Sequence, residues 1–227
     1  MGVFIIELNL KNGSPLKDKV YQKIIEMICS GQLTPDTIFT ERQMIELFKV
    51  SKSPVREALI QLCHEEVLKS IPRCGYQVVS VSIKSIRDLT VLRLYLELSS
   101  LPKVIENITE EKIEYLKLQN YQRIQMAKDN KNIWAMWQNN VNFHISLMEC
   151  AGNDQVTKAV ERALATCTRA FAQLYTVQSS LVYPDTENFH DIIVNDLERR
   201  SLKDVQEHLE QDIHLMEKTL LYTSDEK

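Results

Sequence analysis

A chain of 227 residues with 44% hydrophobic side chains is long enough for one small and one medium domain, each with its own core. Its 5 glycines and 6 prolines exclude a loop-rich all-β fold and low-complexity disorder, so helix should dominate. The net charge of −4 excludes a protein that coats nucleic acid indiscriminately, yet residues 1–82 hold 10 Lys/Arg against 9 Asp/Glu, net +1, leaving 17 against 22, net −5, for residues 83–227.

Residues 16–30 place Leu16, Val20, Ile24, Ile25 and Ile28 on one face of a helix, with Gly31 just past its end. After a turn at QLTPDT, Thr40 is positioned to cap a short helix over residues 41–48, with Met44, Ile45, Leu47 and Phe48 as its apolar stripe. Lys49-Val50 is a tight connection to a third helix, which opens on capping serines and tolerates Pro54 because it falls in the first turn. That helix should bury Val55, Ala58, Leu59 and Leu62. Residues 67–81 then switch to short β-prone segments around Pro72-Arg73-Cys74-Gly75, which predicts a two-stranded wing. Three helices and a hairpin make a winged helix-turn-helix.

From Ile83 onward apolar residues recur at helical spacing through 84–106, 109–128, 131–150, 154–177, 186–199 and 202–222, which predicts six helices in an antiparallel bundle. The expected organisation is therefore mainly α, with a winged helix-turn-helix over 1–82, an all-helical domain over 83–227 and a link around Ser80 to Ser85. No apolar run reaches the ~20 residues of a membrane helix, and the N-terminus lacks a signal-peptide layout, so a cytoplasmic protein is expected. Cys29, Cys63, Cys74, Cys150 and Cys167 are odd in number and contain no Cys-x-x-Cys pair, so they read as reduced thiols, mostly packing residues.

A recognition helix needs polar and cationic side chains at its N-terminus, where they reach base edges and where backbone N–H groups meet phosphate. Ser51, Lys52, Ser53 and Arg56 supply that set. Arg56 has the reach for a bidentate contact to guanine, whereas the serines and Lys52 suit phosphates. Arg42 on the preceding helix is placed to brace backbone or base, and Arg73 at the wing tip to touch the neighbouring groove. Each of these taken singly is equally a solvated surface group; their concentration at one end of a helix with an apolar opposite face is what points to DNA.

The segments TERQMIELFKVSKSPVREALIQL and RCGYQV resemble the DNA-binding signature of the GntR family of bacterial regulators, the S-x-x-PVREAL run most specifically. Downstream, IRDLTVLRLYLELSS, NNVNFHISLMECAGN and NFHDIIVNDLERRSLKDVQEHLEQDIH are similar to the FadR-type ligand-binding domain known as FCD. The resemblance implies that Arg42, Ser51, Lys52, Ser53 and Arg56 contact operator DNA, with Gly75 at the wing. Two departures are local: the usual Pro-Gly turn is Pro35-Asp36, and the glycine usual after the recognition helix is replaced around Glu66-Val67.

In that family a divalent metal is held by an Asp and a His one turn apart and by two further histidines. Here the resemblance maps the set onto Asn140, His144, His190 and, 22 residues on, Asp212. Two imidazoles, a carboxylate and an amide oxygen suit zinc, nickel or manganese. The same residues also read as hydrogen-bonded core groups of a bundle without a metal. His208 and His214 flank Asp212 and read as surface residues. The family metal commonly anchors the carboxylate of a small organic acid, and Arg93, more than Arg169, matches the position of a neutralising base; a lone Arg on an amphipathic helix is also a common salt-bridge partner.

The function implied is a homodimeric, effector-controlled regulator, most commonly a repressor, whose two recognition helices enter successive major grooves of double-stranded operator DNA. The competing readings are a metal-dependent hydrolase built on His144, His190 and Asp212, for which no separate general base or nucleophile motif stands out, and a helical domain that serves only dimerisation.

Overall fold

A computed structural model describes residues 15–128, 133–177 and 189–221 of the chain. The described residues fall into two compact units divided between Ser80 and Val81, with Ala172–Val177 grouped with the first.

The first unit contains α1 (Leu16–Cys29), β1 (Ile38–Phe39), α2 (Glu41–Phe48), α3 (Lys52–His64), β2 (Leu68–Ile71) and β3 (Gly75–Val78). Helices α1 and α2 both pack on α3. The third helix buries Val55, Ala58, Leu59 and Leu62, the positions that a 3.6-residue period brings to one side. On α1 the buried set is Val20, Ile24, Met27 and Ile28; Leu16 and Ile25, expected inside, are half-buried. Thr40 caps α2 reciprocally, its Oγ1 accepting from the Gln43 N–H at 3.2 Å while Gln43 Oε1 accepts from the Thr40 N–H at 2.7 Å. Lys49 takes the left-handed conformation, φ 53°, which turns the chain from α2 into α3.

The expected two-stranded wing is a three-stranded antiparallel sheet of order β1-β3-β2. Ile38 pairs with Gln77 and Phe39 with Tyr76, so the two residues between the expected turn and the Thr40 cap, to which no element was assigned, form an edge strand. Two residues are too few for alternation to announce a strand. Gly75 begins β3 with φ +131°, and a Cβ there would lie 2.2 Å from the Phe39 carbonyl oxygen, so the close approach of β1 to β3 requires glycine. After α3, Glu66 holds φ 55°, a left-handed turn completed without the glycine that suits it best, whereas Asp36 is not among the described residues with positive φ.

The second unit carries α4 (Ile83–Asn107), α5 (Glu110–Lys128), α6 (Ile133–Glu149), α7 (Asp154–Val177) as far as Phe171, α8 (Phe189–Glu198) and α9 (Leu202–Leu221). All six expected helices are present; residues 131, 132, 186–188 and 222, expected at their ends, lie outside the described residues. Ser82 caps α4 by accepting from the Ser85 N–H at 3.1 Å, which draws the expected link into the first turn of the helix. Helix α4 packs on α9 and α6, α5 on α6 and α8, and α8 on α9. Trp137 of α6 stacks on Phe171 of α7 with ring centroids 4.3 Å apart and donates to Thr168 at 3.0 Å. The inward face of α4 is unusual for a bundle: beside Ile86, Leu101 and Val104 it buries Thr90, Arg93, Glu97 and Ser100.

The cysteines are free, Cys167 buried, Cys29, Cys63 and Cys150 half-buried, and Cys74 exposed at the wing turn rather than packed. Among the described residues no helix is long and apolar enough to cross a membrane. Gly75→Ala should destabilise the chain by about 3 kcal/mol, through a disfavoured φ and a clash with backbone. Urea unfolding followed by circular dichroism measures it; wild-type stability in the variant would refute the close contact of β1 with β3.

Candidate functional site

The exposed end of α3 collects the cationic and hydroxyl groups picked out in the sequence. Ser51 occupies the N-cap with extended backbone, but its side chain does not cap the helix. Lys52 Nζ lies 3.6 Å from Glu41, and Ser53 Oγ donates to Glu57 at 2.7 Å. Ser51, Lys52, Ser53 and Arg56 are all exposed, opposite the buried Val55-Ala58-Leu59-Leu62 stripe. Arg42 projects from α2 with its side chain 87% exposed, paired with Glu46 at 2.7 Å. Arg73 sits exposed in the wing turn with φ 63°. Such exposed ion pairs are weak and exchange readily for phosphate. Gly75 is half-buried, and its lack of a side chain is accounted for by the sheet itself.

A second site lies inside the bundle. Asn140 and His144 come from α6, His190 from α8 and Asp212 from α9, and all four are buried. One ligand atom from each of His144, His190 and Asp212 lies within 4.8 Å of the others. His144 Nε2 is 2.9 Å from Asp212 Oδ2, and His190 Nε2 is 3.6 Å from Asp212 Oδ1. Ligand atoms bound at ~2.1 Å to one metal are separated by about 3.0–3.4 Å at octahedral or tetrahedral angles, so these gaps, one to each oxygen of the Asp212 carboxylate, bracket that range and the cluster could hold a cation after small side-chain adjustments. His144 Nε2 and Asp212 Oδ2 are close enough for a hydrogen bond but not aligned for one, and Asn140 Oδ1 has none either. Buried atoms left in this way at His144 and Asp212, with Asn140 one turn from His144 on α6, fit a metal better than a satisfied core. The Asn140 amide reaches His190 Nε2 only at 3.4 Å, and the Phe143 ring stacks on His190 at 3.8 Å, setting its plane.

Behind His144 stands a group that the sequence reading did not single out. Glu97 of α4, 0% exposed, takes His144 Nδ1 at 2.8 Å on one oxygen and Arg93 Nε at 2.7 Å on the other. Arg93, 1% exposed, donates Nη1 to Met216 Sδ at 2.8 Å and keeps Nη2 buried without a hydrogen bond. The signal for Glu97 was present: it lies one turn from Arg93 on one helix face, the spacing of an ion pair. Burial alone pushes the Glu97 carboxyl up, but Arg93 and His144 outweigh it and hold the group below the usual carboxylate range. Burial pushes His144 down, yet the negative Glu97 beside it leaves the imidazole above its ordinary value. Asp212, which burial would raise, is held far below the usual range by His190 and His144. His208 and His214 take no part: they bind Asp196 at 2.6 Å and Glu217 at 3.1 Å. Arg169 donates to Thr166 at 3.2 Å within α7.

A sequence model for the family described as bacterial regulatory proteins, gntR family, matches residues 16–78, and one for the FCD domain matches residues 88–218. The chain belongs to the GntR family of regulators with an FCD domain. It is 26% identical over 164 residues to the HTH-type transcriptional repressor RspR of Escherichia coli, covering 72% of each chain. Over 70 residues, 31% of this chain and 28% of the relative, it is 39% identical to the gluconate operon transcriptional repressor of Bacillus subtilis. The solved structure of E. coli McbR/YncC superposes with a TM-score of 0.74 at 16% identity, over 88% of this chain and 94% of that one. A regulator from Rhodococcus gives 0.72 at 14% identity, over 91% and 97%. Members of the GntR family are DNA-binding transcription regulators, so this chain is a regulator and not the hydrolase considered above.

Within this GntR regulator, Arg93→Met strips Glu97 of its counter-ion and should cost about 3 kcal/mol, whereas Arg93→Met/Glu97→Leu, which removes both buried charges, should recover most of that. Chemical denaturation of the full chain compares them; equal loss in both would mean that packing, not charge, carries the effect.

Proposed function

We propose that the chain is a homodimeric, sequence-specific repressor whose DNA affinity is set by a small organic acid bound at a divalent metal in the helical unit. The observation that carries the effector part is the set of buried, unbonded acceptors Asn140 Oδ1, His144 Nε2 and Asp212 Oδ2. Asn140, His144, His190 and Asp212 would hold zinc, nickel or manganese, and such a cation supplies a fixed positive anchor for a carboxylate. Arg93 retains one buried donor without a hydrogen bond, which supports its assignment to the effector's negative charge. Its first engagement, however, is with Glu97. A module that served only dimerisation would leave this polar interior unexplained.

On the DNA side, Arg56 reads base edges, Ser51, Lys52 and Ser53 hold phosphates, Arg42 braces the contact and Arg73 with Gly75 presents the wing to the neighbouring groove. Their exposure supports this assignment. A homodimer matches a near-palindromic operator through its two-fold symmetry, and the exposed apolar Val91, Leu92 and Tyr95 of α4 suit a second copy. The effector acts only if it binds the DNA-competent and DNA-incompetent arrangements unequally.

Two experiments test the reading. On an operator recovered by selection from random duplexes, Arg56→Ala should lose about 1–3 kcal/mol, roughly 5- to 150-fold, while keeping its circular dichroism spectrum; an unchanged affinity removes Arg56 from base readout. Elemental mass spectrometry of protein purified without chelator or nickel resin should find near-stoichiometric metal that His144→Ala/His190→Ala lacks. A metal-free wild type, still empty after dialysis against zinc, nickel and manganese, refutes the metal-anchored effector.

A further inference from the structure

We propose that Glu97, which is not one of the four metal-ligating candidates, is the positioning residue that makes His144 a ligand: it keeps the ring proton on Nδ1 and leaves the Nε2 lone pair facing Asp212, with Arg93 as its counter-ion. The proposal rests on the metal reading above and adds residues that act through His144.

A carboxylate has no proton to donate, so at 2.8 Å from Glu97 Oε2 the His144 Nδ1 is the donor. Distance alone does not separate the two ends of the ring, since Nε2 lies 2.9 Å from Asp212 Oδ2, but only the Nδ1 contact is aligned as a hydrogen bond; a neutral imidazole with its one N–H on Nδ1 has its lone pair on Nε2. Take Glu97 away and, among the described residues, the charged acceptor left at the ring is Asp212. The proton then settles on Nε2, and a His144–Asp212 hydrogen bond occupies the lone pair and the carboxylate oxygen that the metal needs. Glu97 thus keeps the site from collapsing into an ordinary buried pair. Both of its oxygens are assigned, one to His144 and one to Arg93, and neither points to a ligand. Arg93 is required because a fully buried carboxylate without a cation is too costly to maintain, and a guanidinium stays charged where an ammonium would not.

The alternative is that Glu97 only offsets the charge of Arg93, with His144 an incidental neighbour. The double variant Arg93→Met/Glu97→Leu separates the two, because it removes both charges and should fold. Zinc affinity is read by competition with a chromophoric chelator, and the His144 tautomer by long-range proton–nitrogen NMR of metal-free protein at a pH alkaline enough for a neutral ring. The wild type should show the Nδ1–H tautomer. The double variant should show Nε2–H and bind zinc ~10- to 100-fold more weakly. Glu97→Gln, whose amide oxygen still accepts from Nδ1, should keep the wild-type tautomer and lose less affinity. A double variant that binds zinc like the wild type, or retains Nδ1–H, overturns the proposal and leaves the metal reading standing. A wild type that binds no zinc, nickel or manganese overturns both.

Discussion

The helical unit is organised around one requirement: charges taken out of water must be paired. Arg93, Glu97, His144 and Asp212 form an unbroken buried sequence across α4, α6 and α9, in which two carboxylates alternate with a guanidinium and an imidazole. Removing such groups from water costs several kcal/mol each, and mutual attraction offsets that only when the geometry is good. The four groups therefore constrain how the three helices rotate about their axes, since turning any one inward face aside leaves a charge stranded. Apolar contacts such as Leu101, Leu147 and Leu209 supply the drive to bury these faces without the same demand on rotation.

The two candidate sites use opposite physics. At the start of α3 the cationic groups are exposed and weakly paired, which suits a polyanion met from solvent and makes the contact sensitive to salt. At the interior site Arg93, Glu97, Asn140, His144, His190 and Asp212 are all buried, few partners are in play, and each interaction is strong because water is excluded. A nucleic-acid surface tolerates single losses gradually; the interior site does not, because each member is the partner of another.

Against the ligand set that the FCD resemblance implies, the acidic member has moved. An amide stands at Asn140 on α6, where an aspartate is usual, and a carboxylate stands at Asp212 on α9, where a histidine is usual. The formal charge of the set is unchanged at one negative group. Its position is not: Asp212 lies between the two imidazoles, within 2.9 Å of one and 3.6 Å of the other. That placement explains why His190 and His144 hold its carboxyl so far below the ordinary range despite burial.

Local features of the chain were legible from residue spacing alone. The stripe Val55, Ala58, Leu59 and Leu62, the Thr40 cap and the six helices after Ile83 follow from periodicity and capping chemistry, which act over a turn or two. The residues Asn140, His144, His190 and Asp212 were legible only through family resemblance, and β1 not at all, since two residues carry no period. What the tertiary structure alone decided is which distant groups meet. Glu97 and His144 are 47 positions apart and touch at 2.8 Å. On α4, Arg93 and Glu97 follow the same helical spacing as an exposed ion pair would, and only packing against α6 and α9 turns them inward. Sequence period specifies a helix and its faces; which polar face is buried, and against whom, is settled when helices far apart in the chain exclude water together.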